Sequence, residues 1–229
     1  MATAILVHGA WSSPADWRWV AARLRAEGVE TLIPDLPSHR HWSADRSDDV
    51  QEVITAIRSA AAPVVVTGWS YGGAVIGDLP DTGLVDRLVY VSSVPEPVET
   101  DSQEESSDLA SAPWLLSPDE ATVVLDDAWW LSTEEVAAFP EEVIRHLREH
   151  RRRPITRAAW LAPQAAEAWR TVPVTIVIGR SDSLIPAEQK EWVRTHFDDA
   201  RIVEGDHFLP LLQPDLVAEV ICETFVPAN

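Results

Sequence analysis

The sequence predicts an α/β protein: one doubly wound, mainly parallel sheet of about six strands, carrying a small helical cap insertion. Three observations predict it. Short β-branched apolar runs recur along the chain, separated by stretches with helical spacing of apolar residues. The third run leads straight into Gly68-Trp69-Ser70-Tyr71-Gly72, a glycine-flanked turn of the kind that joins a strand to a helix. The alternation then breaks from about Pro95 to Arg170 and resumes afterwards, as an insertion would break it.

Taken in order, Ala4-Ile5-Leu6-Val7-His8 reads as a buried strand. Ser13, Pro14 and Asp16 then supply a helix N-cap, a first-turn proline and a first-turn acid; Trp17, Val20, Ala21 and Leu24 follow at helical spacing, and Gly28 ends the helix. Thr31-Leu32-Ile33 is a second strand, stopped by Pro34. A helix over 48–60 turns Val50, Val53, Ile54 and Ile57 inward. Residues 63–67 form a third strand, 71–79 a helix and 87–91 a fourth strand. Residues 174–178 and 201–203 form a fifth and a sixth, with helices over about 186–197 and 214–225. The predicted division is a core over 1–94 and 171–229, with a cap over 95–170. Within the cap, 96–108 reads as an acidic, Ser-rich loop, and helices are expected over 118–125, 133–138 and 140–151.

At 229 residues, with 46% hydrophobic and 24% charged residues, the chain suits one compact soluble domain. Its 18 Lys and Arg stand against 37 Asp and Glu, a formal charge of −19, which disfavours nucleic acids and anionic membranes as partners. Lys190 is the sole lysine. Cys222, the single cysteine, excludes an internal disulfide and sits in an apolar run as a packed thiol. With no signal-peptide pattern and no apolar run of membrane-spanning length, a cytoplasmic location is expected. The expected partner is a small-molecule substrate, and the expected state a monomer or homodimer.

The chemistry concentrates at strand ends. Small residues beside Ser70 let the chain reverse sharply, lifting its hydroxyl above the sheet and aiming the following helix N-terminus, with the Tyr71 amide, at any oxyanion that forms. His8-Gly9-Ala10-Trp11 follows the first strand, and the Ala10 amide is the candidate second donor. His207, in Gly205-Asp206-His207-Phe208, follows the last strand at the same end of the sheet and is the candidate base. His146, His150 and His196 fall on helices; His39 and His41 lie on a loop that could border the pocket. Asp182, after the fifth strand, is the candidate acid that would orient the imidazole. Glu96, after the fourth strand, is its rival, and Asp206 adjoins the base. The order Ser, Asp, His along the chain is that of serine hydrolases with this kind of sheet. Trp11, Trp69, Trp114, Trp129, Trp130 and Phe208 are candidate pocket residues, with a Trp-rich cap above an apolar site.

These segments resemble the α/β-hydrolase superfamily, and within it the small esterases related to plant methyl-ester esterases and hydroxynitrile lyases. The resemblance rests on Leu6 to Trp11, Pro34-Asp35-Leu36-Pro37, Gly68 to Ile76, Val94-Pro95-Glu96-Pro97, Asp182 to Pro186 and Gly205-Asp206-His207. It implies a two-step acyl transfer on a carboxylic ester, thioester or lactone of a small apolar or aromatic substrate. Two positions depart from the pattern. Trp69 stands where the family commonly has histidine, and Phe208 stands where the lyases have lysine, which speaks against cyanohydrin cleavage. Ser70 itself speaks against epoxide hydrolases and haloalkane dehalogenases, which use an aspartate nucleophile. No cofactor is expected: the sequence has neither a Cys/His metal cluster nor a phosphate-binding glycine loop. Lyase or cyclase chemistry at the same residues, or a ligand-sensing protein, are the alternative readings.

Overall fold

The computed structural model describes residues 1–98, 114–117 and 119–225, without the side chains of Trp114, Leu115, Asp127, Trp129 and Glu135. Most of the predicted 96–108 loop lies outside the described residues. Strand β1 (Thr3–Val7) leads through a 3-10 turn at Pro14–Trp17 to helix α1 (Arg18–Ala26), and β2 (Glu30–Leu32) to α2 (Arg46–Ser59). Then come β3 (Val64–Trp69), α3 (Tyr71–Gly77) and β4 (Arg87–Val91). The inserted segment holds β5 (Trp114–Leu116), β6 (Thr122–Leu125), α4 (Asp127–Leu131), α5 (Glu134–Ala137), α6 (Glu141–Glu149), β7 (Ile155–Thr156) and α7 (Arg157–Trp160). The chain closes with β8 (Val174–Gly179), α8 (Ala187–His196), β9 (Ala200–Val203), α9 (Leu209–Leu212) and α10 (Pro214–Glu223).

Six strands form one sheet in the order β2-β1-β3-β4-β8-β9. Every neighbouring pair in it is parallel. Parallel pairing buries both faces, and alternate residues of β1 show how. Ala4 and Leu6 pack under α1 and α10 with Val20, Leu24, Val217 and Ile221. Ile5 and Val7 face the other way, toward Val53, Ile57, Val75 and Val193 of α2, α3 and α8. Trp17, in the first layer, is the largest of the fully buried side chains. After β2 the chain returns across β1 to place β3 on its other side, so the loops leaving β1 and β3 diverge. Such a switch point opens a crevice at the carboxyl ends of the strands.

Helix α2 begins two residues earlier than its apolar spacing suggests because Asp45 caps it. Its carboxylate accepts the Ser47 and Asp48 amides, and Asp48 returns a bond to the Asp45 amide. Helix α9 was not anticipated: a single turn, it seats Leu209 and Leu211 in the core directly after His207. The insertion is not helical throughout. Residues 122–125, expected in a helix, form a strand that pairs antiparallel with β5 (Trp114 opposite Leu125) and with β7 (Val123 opposite Ile155). The β-branched Thr122-Val123-Val124 run accepts this pairing readily, but its β7 partner lies some thirty residues downstream in sequence.

Candidate active site

Ser70 sits between β3 and α3 with φ +54°, a conformation unusual for a side chain larger than glycine. Its neighbours explain how that turn closes. A Cβ on Gly68 would lie 2.3 Å from the Gly72 carbonyl oxygen, and one on Gly72 only 2.5 Å from that of Val7. Helix α3 therefore starts in backbone contact with both its own strand and the end of β1. Tyr71 is the first residue of α3, where an amide has no acceptor within the helix. The turn after β1 lies against the elbow: a Cβ on Gly9 would be 3.2 Å from that of Ser70. Ala10 follows it directly.

The Ser70 hydroxyl and His207 Nε2 are 2.9 Å apart, and His207 Nδ1 is 2.9 Å from Asp182 Oδ2. Because a carboxylate only accepts, Nδ1 carries the ring proton and Nε2 receives the serine hydroxyl. Asp182 is 2% exposed and His207 9%, so water competes little for these bonds. Asp182 Oδ1 accepts the Leu184 amide at 3.0 Å. Of the rival acids, Asp206 turns back to accept the Phe208 amide at 2.8 Å. The Glu96 backbone carbonyl accepts the Trp169 indole N–H at 3.1 Å.

Trp69 is buried, and its indole N–H donates to the His207 carbonyl at 2.9 Å, which joins the elbow to the loop of the imidazole. Its ring belongs to a buried aromatic cluster. Phe208 lies 6.1 Å from Trp69, 5.6 Å from Trp130 and 5.4 Å from Phe139, centroid to centroid. Trp11 takes a different position. Its indole N–H donates to Val123 O of β6 and its ring meets Trp160 at 4.8 Å, fastening the β1 turn to the insertion. The side chains of Trp114 and Trp129 lie outside the described residues. His41 is exposed, whereas His39 is buried, with Nδ1 3.0 Å from Ser38 Oγ.

Several supports were not read from the sequence. Asp49 on α2 accepts the Tyr71 phenol at 2.7 Å and the Ser38 hydroxyl and amide at 2.6 and 2.8 Å. Burial pushes its carboxyl up, against the pull of the Ser38 bonds. Burial, with the Asp49 charge beside it, pushes the Tyr71 phenol well above its ordinary value. A signal was present: Asp49 lies four residues before Val53, on the buried face of its helix. His8 Nε2 accepts the Leu36 amide at 3.2 Å, anchoring the turn that leads to Ala10. Phe139 and Lys190 carried no motif.

The sequence pattern of the alpha/beta hydrolase family matches residues 4–220. The chain belongs to this family. Among curated proteins it is 28% identical to a pimeloyl-[acyl-carrier protein] methyl ester esterase of Aromatoleum aromaticum, over 88% of each chain. It is 34% identical to a carbendazim hydrolyzing esterase of a Nocardioides species, over 42% of this chain and 44% of that one. Among solved structures, a pyrethroid hydrolase from Sphingobium faniae superposes with a TM-score of 0.78, at 19% identity, over 99% of this chain and 98% of the other. The similarity supports an enzyme of the carboxylic-ester hydrolase kind. Among the described residues, no helix is long and apolar enough to cross a membrane.

Proposed function

We propose that this α/β hydrolase is a serine esterase that cleaves a small carboxylic ester with an apolar or aromatic group, through an acyl-enzyme intermediate. The observation that carries the reading is the unbroken line of hydrogen bonds from the Ser70 hydroxyl through both nitrogens of His207 to the buried Asp182. As the Ser70 oxygen attacks the ester carbonyl, His207 Nε2 takes its proton, and Asp182 stabilises the resulting imidazolium. The Ala10 and Tyr71 amides face the developing oxyanion. His207 then protonates the leaving alcohol, the acyl group stays on Ser70, and water activated by His207 releases the acid. The half-buried Phe208 ring, 5.7 Å from that of His207, supports an apolar or aromatic substituent.

Intact mass after exposure to a fluorophosphonate tests the reading. One adduct on the native protein and none on Ser70→Ala is expected, together with turnover of p-nitrophenyl esters that falls by at least about a thousandfold in Ser70→Ala. A native protein that takes no adduct and turns over no ester would overturn it.

A further inference from the structure

Of the 18 basic residues other than histidine, 17 are arginine, and the one lysine stands beside the loop of the proposed catalytic acid. We infer that Lys190 is a positioning residue for Asp182: its ammonium gathers two carbonyls of the acid loop and holds that loop in register with His207. The inference rests on the serine-hydrolase reading. Lys190 Nζ lies 2.6 Å from the Asp182 carbonyl oxygen and 3.0 Å from that of Arg180. Both carbonyls belong to the short turn between β8 and α8.

The rest of that turn is tied to the loop carrying the base. Arg180 donates its amide to Val203 O at 2.7 Å, and Ser181 donates to Gly205 O at 2.9 Å. On the side of the sheet, backbone bonds therefore zip the acid and base loops together. On the side of α8, the Lys190 ammonium holds the carbonyls. With both sides fixed, the Asp182 carboxylate meets Nδ1 of His207.

Lys190 differs from an ordinary surface cation in two respects. Lys190 occupies the first turn of α8, the positive end of the helix dipole, where a cation is disfavoured. Two carbonyl oxygens, each the negative end of a peptide dipole, offset that cost. An ammonium also differs from a guanidinium in shape. Its three donors radiate from one compact atom and can converge on two neighbouring oxygens, whereas arginine spreads its donors across a rigid plane suited to flat carboxylates.

The test is the rate at which a fluorophosphonate labels Ser70, read by intact mass, with melting temperatures measured alongside. It compares the wild type, Lys190→Met, Lys190→Arg, Asp182→Asn, the double variant Lys190→Met/Asp182→Asn, and Arg194→Met as a control on the same helix. Labelling of Lys190→Met is expected to slow by about tenfold, because small displacements of a catalytic group are costly. Lys190→Arg, which keeps the charge and a long stem if the Met variant folds poorly, is expected to recover only part of the rate. Arg194→Met should label like the wild type. The double variant should label no more slowly than Asp182→Asn alone, because Lys190 acts through Asp182; a general loss of structure would instead add to it. Wild-type rates in Lys190→Met, or a full additional loss in the double variant, would overturn the inference while leaving the esterase reading intact. A wild type that takes no label would overturn both.

Discussion

Ser70 is held with φ +54° by contacts that permit only glycine on either side of the turn, so its strain is maintained by the surrounding backbone. The neighbouring Trp69 shows how one residue can change part without changing place. Its bulk and position suggested a pocket wall, and the ring does stand beside Phe208, but the indole N–H is committed to the His207 carbonyl. Trp69→Phe keeps a ring and removes that donor from a buried acceptor. We expect a loss of about 1–2 kcal/mol in stability and a several-fold lower kcat at nearly unchanged KM, measured by thermal melts and p-nitrophenyl ester kinetics. An unchanged kcat would reduce Trp69 to packing. The sequence favoured Asp182 over Glu96 and Asp206 as the acid, and Asp182 Oδ2 lies 2.9 Å from His207 Nδ1.

At the scale of elements, the core strands and helices were legible because each carries its own periodicity and punctuation, and their ends shifted by one or two residues where caps such as Asp45 intervened. The insertion was less legible. Its small sheet joins residues far apart in sequence, and apolar runs of that length do not separate strand from helix. Charged contacts, the central one buried, help to fasten it to the core. Asp16, in the turn before α1, accepts His146 Nε2 at 2.8 Å and the Arg152 fork at 2.8 and 3.1 Å. Arg153 reaches Asp35 at 2.8 Å. Burial alone would raise the Asp16 carboxyl, but the Arg152 charge and bonds from His146, Arg152 and Ser12 outweigh it and hold the carboxyl below its ordinary 3.8. A carboxyl depressed in the folded state contributes stability above its unfolded value and loses it as pH falls toward the folded one. The insertion should therefore loosen below about pH 4, seen as limited proteolysis within 126–157 before global melting. Asp16→Ala, which takes the carboxylate away from Arg152 and His146, should cost about 3 kcal/mol at pH 7 and abolish that acid step. Simultaneous cleavage across the whole chain at low pH would refute this order.

For the whole molecule, a formal charge of −19 and an isoelectric point near 4.6 mean strong self-repulsion at neutral pH. Moderate salt should raise the melting temperature at pH 7 by a few degrees, roughly the effect of 1 kcal/mol in a chain of this length. A flat or falling salt dependence would show that local ion pairs outweigh the net charge. Local features were readable along the chain: the parallel α/β class, the strand-turn-helix elbow at Ser70, the glycine-led turn before Ala10, and the loops that carry Asp182 and His207. Each depends on residues a few positions apart, whose conformational preferences act along the chain. What converges became visible only in three dimensions. Folding brings Asp182 Oδ2 to His207 Nδ1, sets the Asp49 carboxylate against the Tyr71 phenol, carries the Trp69 indole and the Lys190 ammonium to the carbonyls of His207 and Asp182, and pairs the strands of the insertion. Those contacts join segments separated by tens of residues or turn on which way one side chain points, and neither is written into local periodicity.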